Sequence, residues 1–325
     1  MHSKILIYCA GLISFRLGFR SIASLSNNTV PDMEKEPIYN LYQYALGDVM
    51  NENVDAYAHN IVLQFFDEKH IFNSGHKALA AEAAVALVIW GYIVHELYET
   101  IDRCRNYGVT TDEDGVHSID EAVAYWIGEG QETGSKTSGY LLYRLAEEGG
   151  ELFGQKSNDS QSRANRNVLK LFKEASLHLA FDEACGESHM IISTLGSVMD
   201  KILAQMTVPL IQHLIYNLKK NDRGRVRIYA HSVVPLLASC TPKNFEFLKE
   251  KLIVKSYEVA EVDKIIAYLQ SSYSCLGLKC NDVGTLEELP MPQCVDRKEL
   301  YPLGGFIPTT DIREVSLSAI IYIIF

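Results

Sequence analysis

Apolar positions along this chain recur at three- and four-residue steps, the spacing of one helical face. The pattern predicts helices near Ile38–Val49, Val54–Phe66, His76–Asn106, Ile119–Ile127, Gly139–Leu152, Asn167–Ala184, Met190–Lys219, Val226–Ser239, Asn244–Ile253 and Glu258–Ser274. Pro31, Pro37, Pro242, Pro290, Pro292, Pro302 and Pro308 fall between or outside these segments, where a missing N–H does no harm. Pro209 falls inside one and predicts a kink or a break. No run alternates apolar and polar residues convincingly, so the expected fold is an all-α helical bundle. The run "AAVALVIWGYIV" (Ala83–Val94) is too short to span a bilayer and reads as a core helix.

A polar, aperiodic stretch near Gly154–Asn165 divides the pattern into a first helical unit, 27–154, and a second, 165–294. "CRNYG" (Cys104–Gly108) and "CNDVG" (Cys280–Gly284) each follow a long helix and precede acidic residues, 176 positions apart. Either two degenerate copies of one helical unit lie here, or two amphipathic helices resemble each other by chance. The N-terminus, "MHSKILIYCAGLISF", pairs one lysine with an apolar run from Ile5 to Phe15. It reads as a signal peptide over 1–26, with a buried N-terminal helix as the alternative. The segment 295–325 is a C-terminal tail ending in "VSLSAIIYIIF".

Cysteine usage agrees with export. Without Cys9, six remain: Cys104, Cys185, Cys240, Cys275, Cys280 and Cys294. None forms a C-x-x-C zinc pair, so disulfides are expected, with the pairing open. The triplets Asn27-Asn28-Thr29 and Asn158-Asp159-Ser160 are glycosylation sequons. A net charge of −11 argues against a nucleic-acid partner, which needs a basic face.

The stretch "SIDEAVAYWIGEGQETGSKTSGYLLYRLAEEGGELFG" (Ser118–Gly154) reads as two helices around a flexible glycine-rich loop. Ser118 and Glu121 fit a capping box, which accounts for the acid pair Asp120–Glu121 without catalysis. Arg144, Glu147, Glu148 and Glu151 are expected on the polar face of the second helix. The residues Asp120, Glu121, Ala122, Ala124, Tyr125, Gly128, Leu141, Leu142, Tyr143, Leu145 and Ala146 give this stretch its resemblance. It resembles the algal iron-assimilating proteins, which belong with the high-carbon-dioxide-inducible periplasmic proteins of microalgae. "LGGFIPTTDIRE" (Leu303–Glu314) adds a weaker likeness. The resemblance implies an extracellular helical protein that supports iron uptake, and it names no ligand.

Iron(III) prefers hard oxygen ligands and accepts imidazole, and bundles build such sites from inward acids and histidines. Three stretches have the spacing. His95, Glu99 and Asp102 share one helical face; so do Glu174, His178 and Asp182; Asp55 and His59 lie one turn apart. Each also fits a solvated polar stripe. The His95 stripe is the best candidate because it continues from the most apolar helix, and Glu82 within that helix raises the same question. Some of the eighteen tyrosines are further iron-ligand candidates, although most suit an amphipathic core. No P-loop, G-x-S-x-G elbow or H-E-x-x-H helix is present.

The expected function is therefore a non-enzymatic, secreted, periplasmic or cell-surface protein that binds or concentrates iron. Its partners would be the metal cation and a membrane reductase or transporter, and no transmembrane segment is expected. The alternatives are an extracellular interaction module without metal and a carboxylate-dependent hydrolase.

Overall fold

The computed structural model describes residues 22–26, 30, 33–50, 56–66, 74–106, 115–156, 160–180, 185 and 189–296. Most of the expected signal segment, both sequon asparagines, Asp55, Asp182 and nearly all of the tail lie outside them.

The protein is all-α and disulfide-linked. Its principal helices are α1 (Pro37–Met50), α2 (Tyr57–Gln64), α3 (Ser74–Ala83), α4 (Trp90–Asn106), α5 (Gly115–Ile127) and α6 (Leu142–Leu152). They continue with α7 (Arg163–Leu179), α8 (His189–Lys220), α9 (Arg223–Val233), α10 (Pro242–Lys249), α11 (Val262–Gln270) and the single turn α12 (Cys280–Val283). Among the described residues no strand forms, only one antiparallel bridge between Lys156 and Ser162.

Local chemistry sets several boundaries. Pro242 opens α10, where its missing N–H is harmless. Ser162 caps α7 by accepting from the Asn165 amide, and Asp222 caps α9 by accepting from the Arg225 amide, at 3.2 and 3.1 Å. Gly128 ends α5 at φ +79°, a conformation that costs glycine little. Pro209 stands within α8, and the helix continues through it without a break.

The long α8 forms the centre, with α4, α6, α7 and α9 packed around it, while α5 lies along α4. One hydrophobic core runs from Ala23 to Leu286 and includes the fully buried Trp90 and Trp126. α3 and α4 form one rod joined by π-helical turns at Ala84–Ile89, all of whose side chains are buried. By length and hydropathy alone Ala78–Asn106 would suffice to cross a membrane, yet 61% of its most apolar window is buried within the protein. Three crosslinks staple the bundle: Cys104–Cys185, Cys240–Cys275 and Cys280–Cys294, with Cα separations of 4.6, 5.8 and 5.8 Å.

The stretch from Ser118 to Gly154 departs from its sequence reading in three ways. α5 begins at Gly115, a turn early, so Ser118 lies inside the helix, buried, rather than at its cap. The glycine-rich loop is internally bonded: the Gln131 side-chain amide donates to the carbonyls of Glu132 and Ser135, and the Gly134 amide donates to the Tyr143 hydroxyl. Glu147, expected on the polar face, is fully buried. Its carboxylate accepts from the Ser162 amide, Asn165 Nδ2 and Lys156 Nζ.

Candidate cation site on helices α4 and α5

α4 carries "YIVHELYET", and the chain just before α1 meets it through Glu36. His95 is buried and pairs through Nδ1 with Glu36, a residue just ahead of α1. Glu36 is 5% exposed, and its second oxygen, Oε2, has no hydrogen-bond partner. One helical position on, Glu96 is buried and lies against the Tyr92 hydroxyl. That hydroxyl donates to Glu121 Oε1 of α5 at 3.1 Å. The Tyr92 ring is fixed edge-on against Tyr125, with centroids 4.9 Å apart. At the outer rim, the exposed His117 stands 3.8 Å from Glu121.

Negative charge is crowded here. Burial pushes the Glu36 carboxyl up to about 7, against the opposing pull of His95. Burial opposes charging His95, but the Glu36 hydrogen bond and the charges of Glu36, Glu96 and Glu99 outweigh it and raise the imidazole pKa. Burial and the Glu121 charge raise Glu96. Burial, Glu96 and Glu121 together raise Tyr92. The pair Glu36–His95 therefore holds a proton that the unfolded chain would release. A group with a raised folded pKa stabilises below its unfolded value and loses that contribution as pH rises through the folded one. Stability is expected to fall between about pH 4.5 and pH 7 through Glu36, by on the order of 2–3 kcal/mol, the decline running on above pH 6.5 through His95. Urea unfolding across this range should show the decline in the natural protein and a flatter profile in Glu36→Gln. A Glu36→Gln profile of unchanged slope would remove the pair as its cause.

The sequence candidates separate. Of the stripe His95, Glu99 and Asp102, only His95 turns inward to Glu36. Glu99 pairs with Arg103 at 3.1 Å, and Asp102 accepts from Asn106 at 3.0 Å. Glu174 and His178 are half-buried on α7, and His59 is half-buried on α2. Glu82, on α3, is taken up by α9, where it accepts from Arg225 at 2.8 Å and from the Tyr229 hydroxyl at 2.5 Å. His213 and His231 are buried against the carbonyls of Leu145 and Arg227, and burial lowers both imidazoles, His231 to about 4. Among the described residues, no three His, Cys, Asp or Glu side chains already converge on one point.

Glu36, Tyr92, Glu96 and Glu121 were not read as site residues from the sequence. Tyr92, His95, Glu96 and Glu99 do form a dense run of donors, and that was the available signal. Glu36 lies 59 positions before its partner, and nothing local marks it. No family model, curated protein or solved structure matches the chain.

Proposed function

We propose that this protein is an extracellular binder of iron, taken up between α4 and α5 by His95, Glu96 and Glu121, with Glu36 orienting the histidine. The observation that carries this reading is the imbalance of charge. Glu36, Glu96 and Glu99 surround His95 and Glu121 faces Glu96, while the one arginine acting on this group, Arg103, forms its ion pair with Glu99. Buried carboxylates are costly unless paired or coordinated. A carboxylate on Nδ1 leaves Nε2 to a metal, the arrangement by which ligating histidines are oriented. Glu121 is a third exposed at its side chain, which gives an ion a route in from solvent. Rotation of the Glu96 and Glu121 side chains would close the set. Three disulfides suit an oxidising compartment, and the resemblance of Ser118–Gly154 to iron-assimilating proteins points the same way. No covalent step is assigned; the ion would be cargo, passed to a membrane reductase or transporter.

The test is titration of the oxidised protein with iron(II) and iron(III), metal being counted after gel filtration. Near-integer iron is expected to stay with the protein. Glu96→Ala/Glu121→Ala and His95→Ala should each weaken retention at least tenfold, whereas Glu99→Ala, whose carboxylate serves Arg103, should change it little. Iron held no better than by an acidic protein of equal charge would sink the proposal.

A further inference from the structure

We propose that the outer face of α7 is a docking surface for a polyanionic glycan, a sugar chain carrying carboxylates or sulfates. The surface shares no residue with the cation site and does not depend on it. Cations elsewhere in this acidic protein are mostly matched, as in Arg144–Glu148, Lys219–Asp263 and Lys251–Glu261. On α7 they are not. Arg166, Lys170 and Lys173 are exposed, and among the described residues none of the three has a carboxylate partner. Steps of four and three residues set them on one line along the helix, and Leu177, 56% exposed, continues that line. Glu174, the one acid of α7, is half-buried at its edge. Lys201 adds a fourth charge from the neighbouring helix. α8 packs along α7, and Lys201, exposed and likewise without a carboxylate partner among the described residues, stands one turn before Gln205, which accepts from Asn167 at 2.9 Å.

The shape of the row selects the partner. From Arg166 to Lys173 it spans ~10 Å with about one cation per helical turn, a step close to the length of one sugar ring. A straight row one helix wide fits an extended chain that bears charge at intervals, and Leu177 offers an apolar contact for the C–H face of a ring. The opposite face of α7, with Ala164, Val168, Phe172, Ala175 and Leu179, is buried in the core. The row is therefore held rigid, and little ordering of the helix is required on binding. The same burial argues against a membrane. An amphipathic helix binds a bilayer by inserting its apolar face, and that face of α7 is already occupied. A nucleic acid is disfavoured by the net charge of −11, which repels so dense a polyanion, whereas a row of local cations acts within a Debye length of ~8 Å. Three disulfides also suit an oxidising compartment, where charged sugar chains are abundant polyanions.

The experiment is calorimetric titration of the oxidised protein with polygalacturonate and with heparin, which separate carboxylate from sulfate recognition. Binding to at least one is expected, weakening on the order of tenfold between about 0.05 M and about 0.2 M salt. Arg166→Ser/Lys170→Ser/Lys173→Ser should weaken it at least tenfold with an unchanged urea midpoint, since all three side chains are exposed. Lys219→Ser/Lys251→Ser/Lys255→Ser removes the same charge from lysines that already have carboxylate partners, and should change binding less than about twofold. Lys170→Arg/Lys173→Arg should retain it. Equal losses in the two triple variants would show that net charge alone attracts the glycan and would overturn the proposal. So would binding to neither glycan, or tighter binding to phosphatidylserine vesicles or to duplex DNA than to either one.

Discussion

With Glu147 replaced by alanine, the protein is expected to lose about 3–5 kcal/mol of unfolding free energy, the range for stripping one partner from a buried charged network. Glu147 is wholly buried on α6, and its two oxygens accept from the Ser162 amide at 3.0 and 3.1 Å. Oε1 also takes Asn165 Nδ2 at 2.7 Å, and Oε2 takes the Lys156 ammonium. Asn165 in turn accepts from Trp126 Nε1 at 3.0 Å and donates to the Tyr143 carbonyl at 2.8 Å. One carboxylate thus joins α5, α6, the return segment and the start of α7. The alanine variant would leave an amide, a side-chain amide and an ammonium facing a cavity, each with its desolvation cost uncompensated. Glu147→Gln keeps the volume but turns an NH2 toward other donors, so it should lose about half as much. In a double-mutant cycle, Lys156→Met added to Glu147→Ala should cost less than the sum of the two, because the partners share one network. Urea denaturation measures all of these. A loss below about 1 kcal/mol for Glu147→Ala would mean that water replaces the carboxylate and that the knot contributes little.

That residue also marks where sequence reading stopped. The helices of the bundle were legible because burial on one face repeats every three or four residues, and α1, α8 and the rod of α3 and α4 fall close to their expected spans, while α7 starts and ends four to five residues early. Glu147 has the same surroundings in sequence as Arg144, Glu148 and Glu151, which do lie toward solvent. What buries it is the segment 155–165 folding back across α6, a contact no helical period encodes. Glu121 was explained as a cap because Ser118 stands three residues before it. The helix starts earlier, so both become interior positions and Glu121 is free to face Tyr92. His95, Glu99 and Asp102 do share a helical face, as their spacing requires. Their partners decide their roles, however, and those partners are Glu36, Arg103 and Asn106. Local spacing gives the direction of a side chain but not what another helix brings to meet it. The six paired cysteines were likewise countable without being assignable.

The pairing now assigned carries the second large expectation. Removing the Cys104–Cys185 crosslink, as Cys104→Ala/Cys185→Ala, should lower stability by about 4 kcal/mol. The bond joins residues 81 positions apart, so it forbids the unfolded chain a large set of conformations. Loop-closure entropy for that length amounts to ~4.5 kcal/mol at room temperature, against ~3 kcal/mol for the 14-residue separation of Cys280–Cys294. Cys104 is fully buried near the end of α4, whereas Cys185 lies between α7 and α8. The crosslink therefore ties the helix that carries Tyr92, His95 and Glu96 to the junction leading into the central α8. Burial also shields it from attack: a thiol reductant should open Cys280–Cys294 first and reach Cys104–Cys185 only as the fold loosens. Urea unfolding of the double variant, with mass spectrometry of alkylated thiols over a reduction time course, tests both statements. Loss of less than about 1 kcal/mol would show that the 81-residue loop is already restricted in the unfolded chain. Equal rates of reduction at both bonds would show that α4 is open to solvent at Cys104. In that event the neighbouring carboxylates would be solvated too, and the charge imbalance behind the cation site would lose its force.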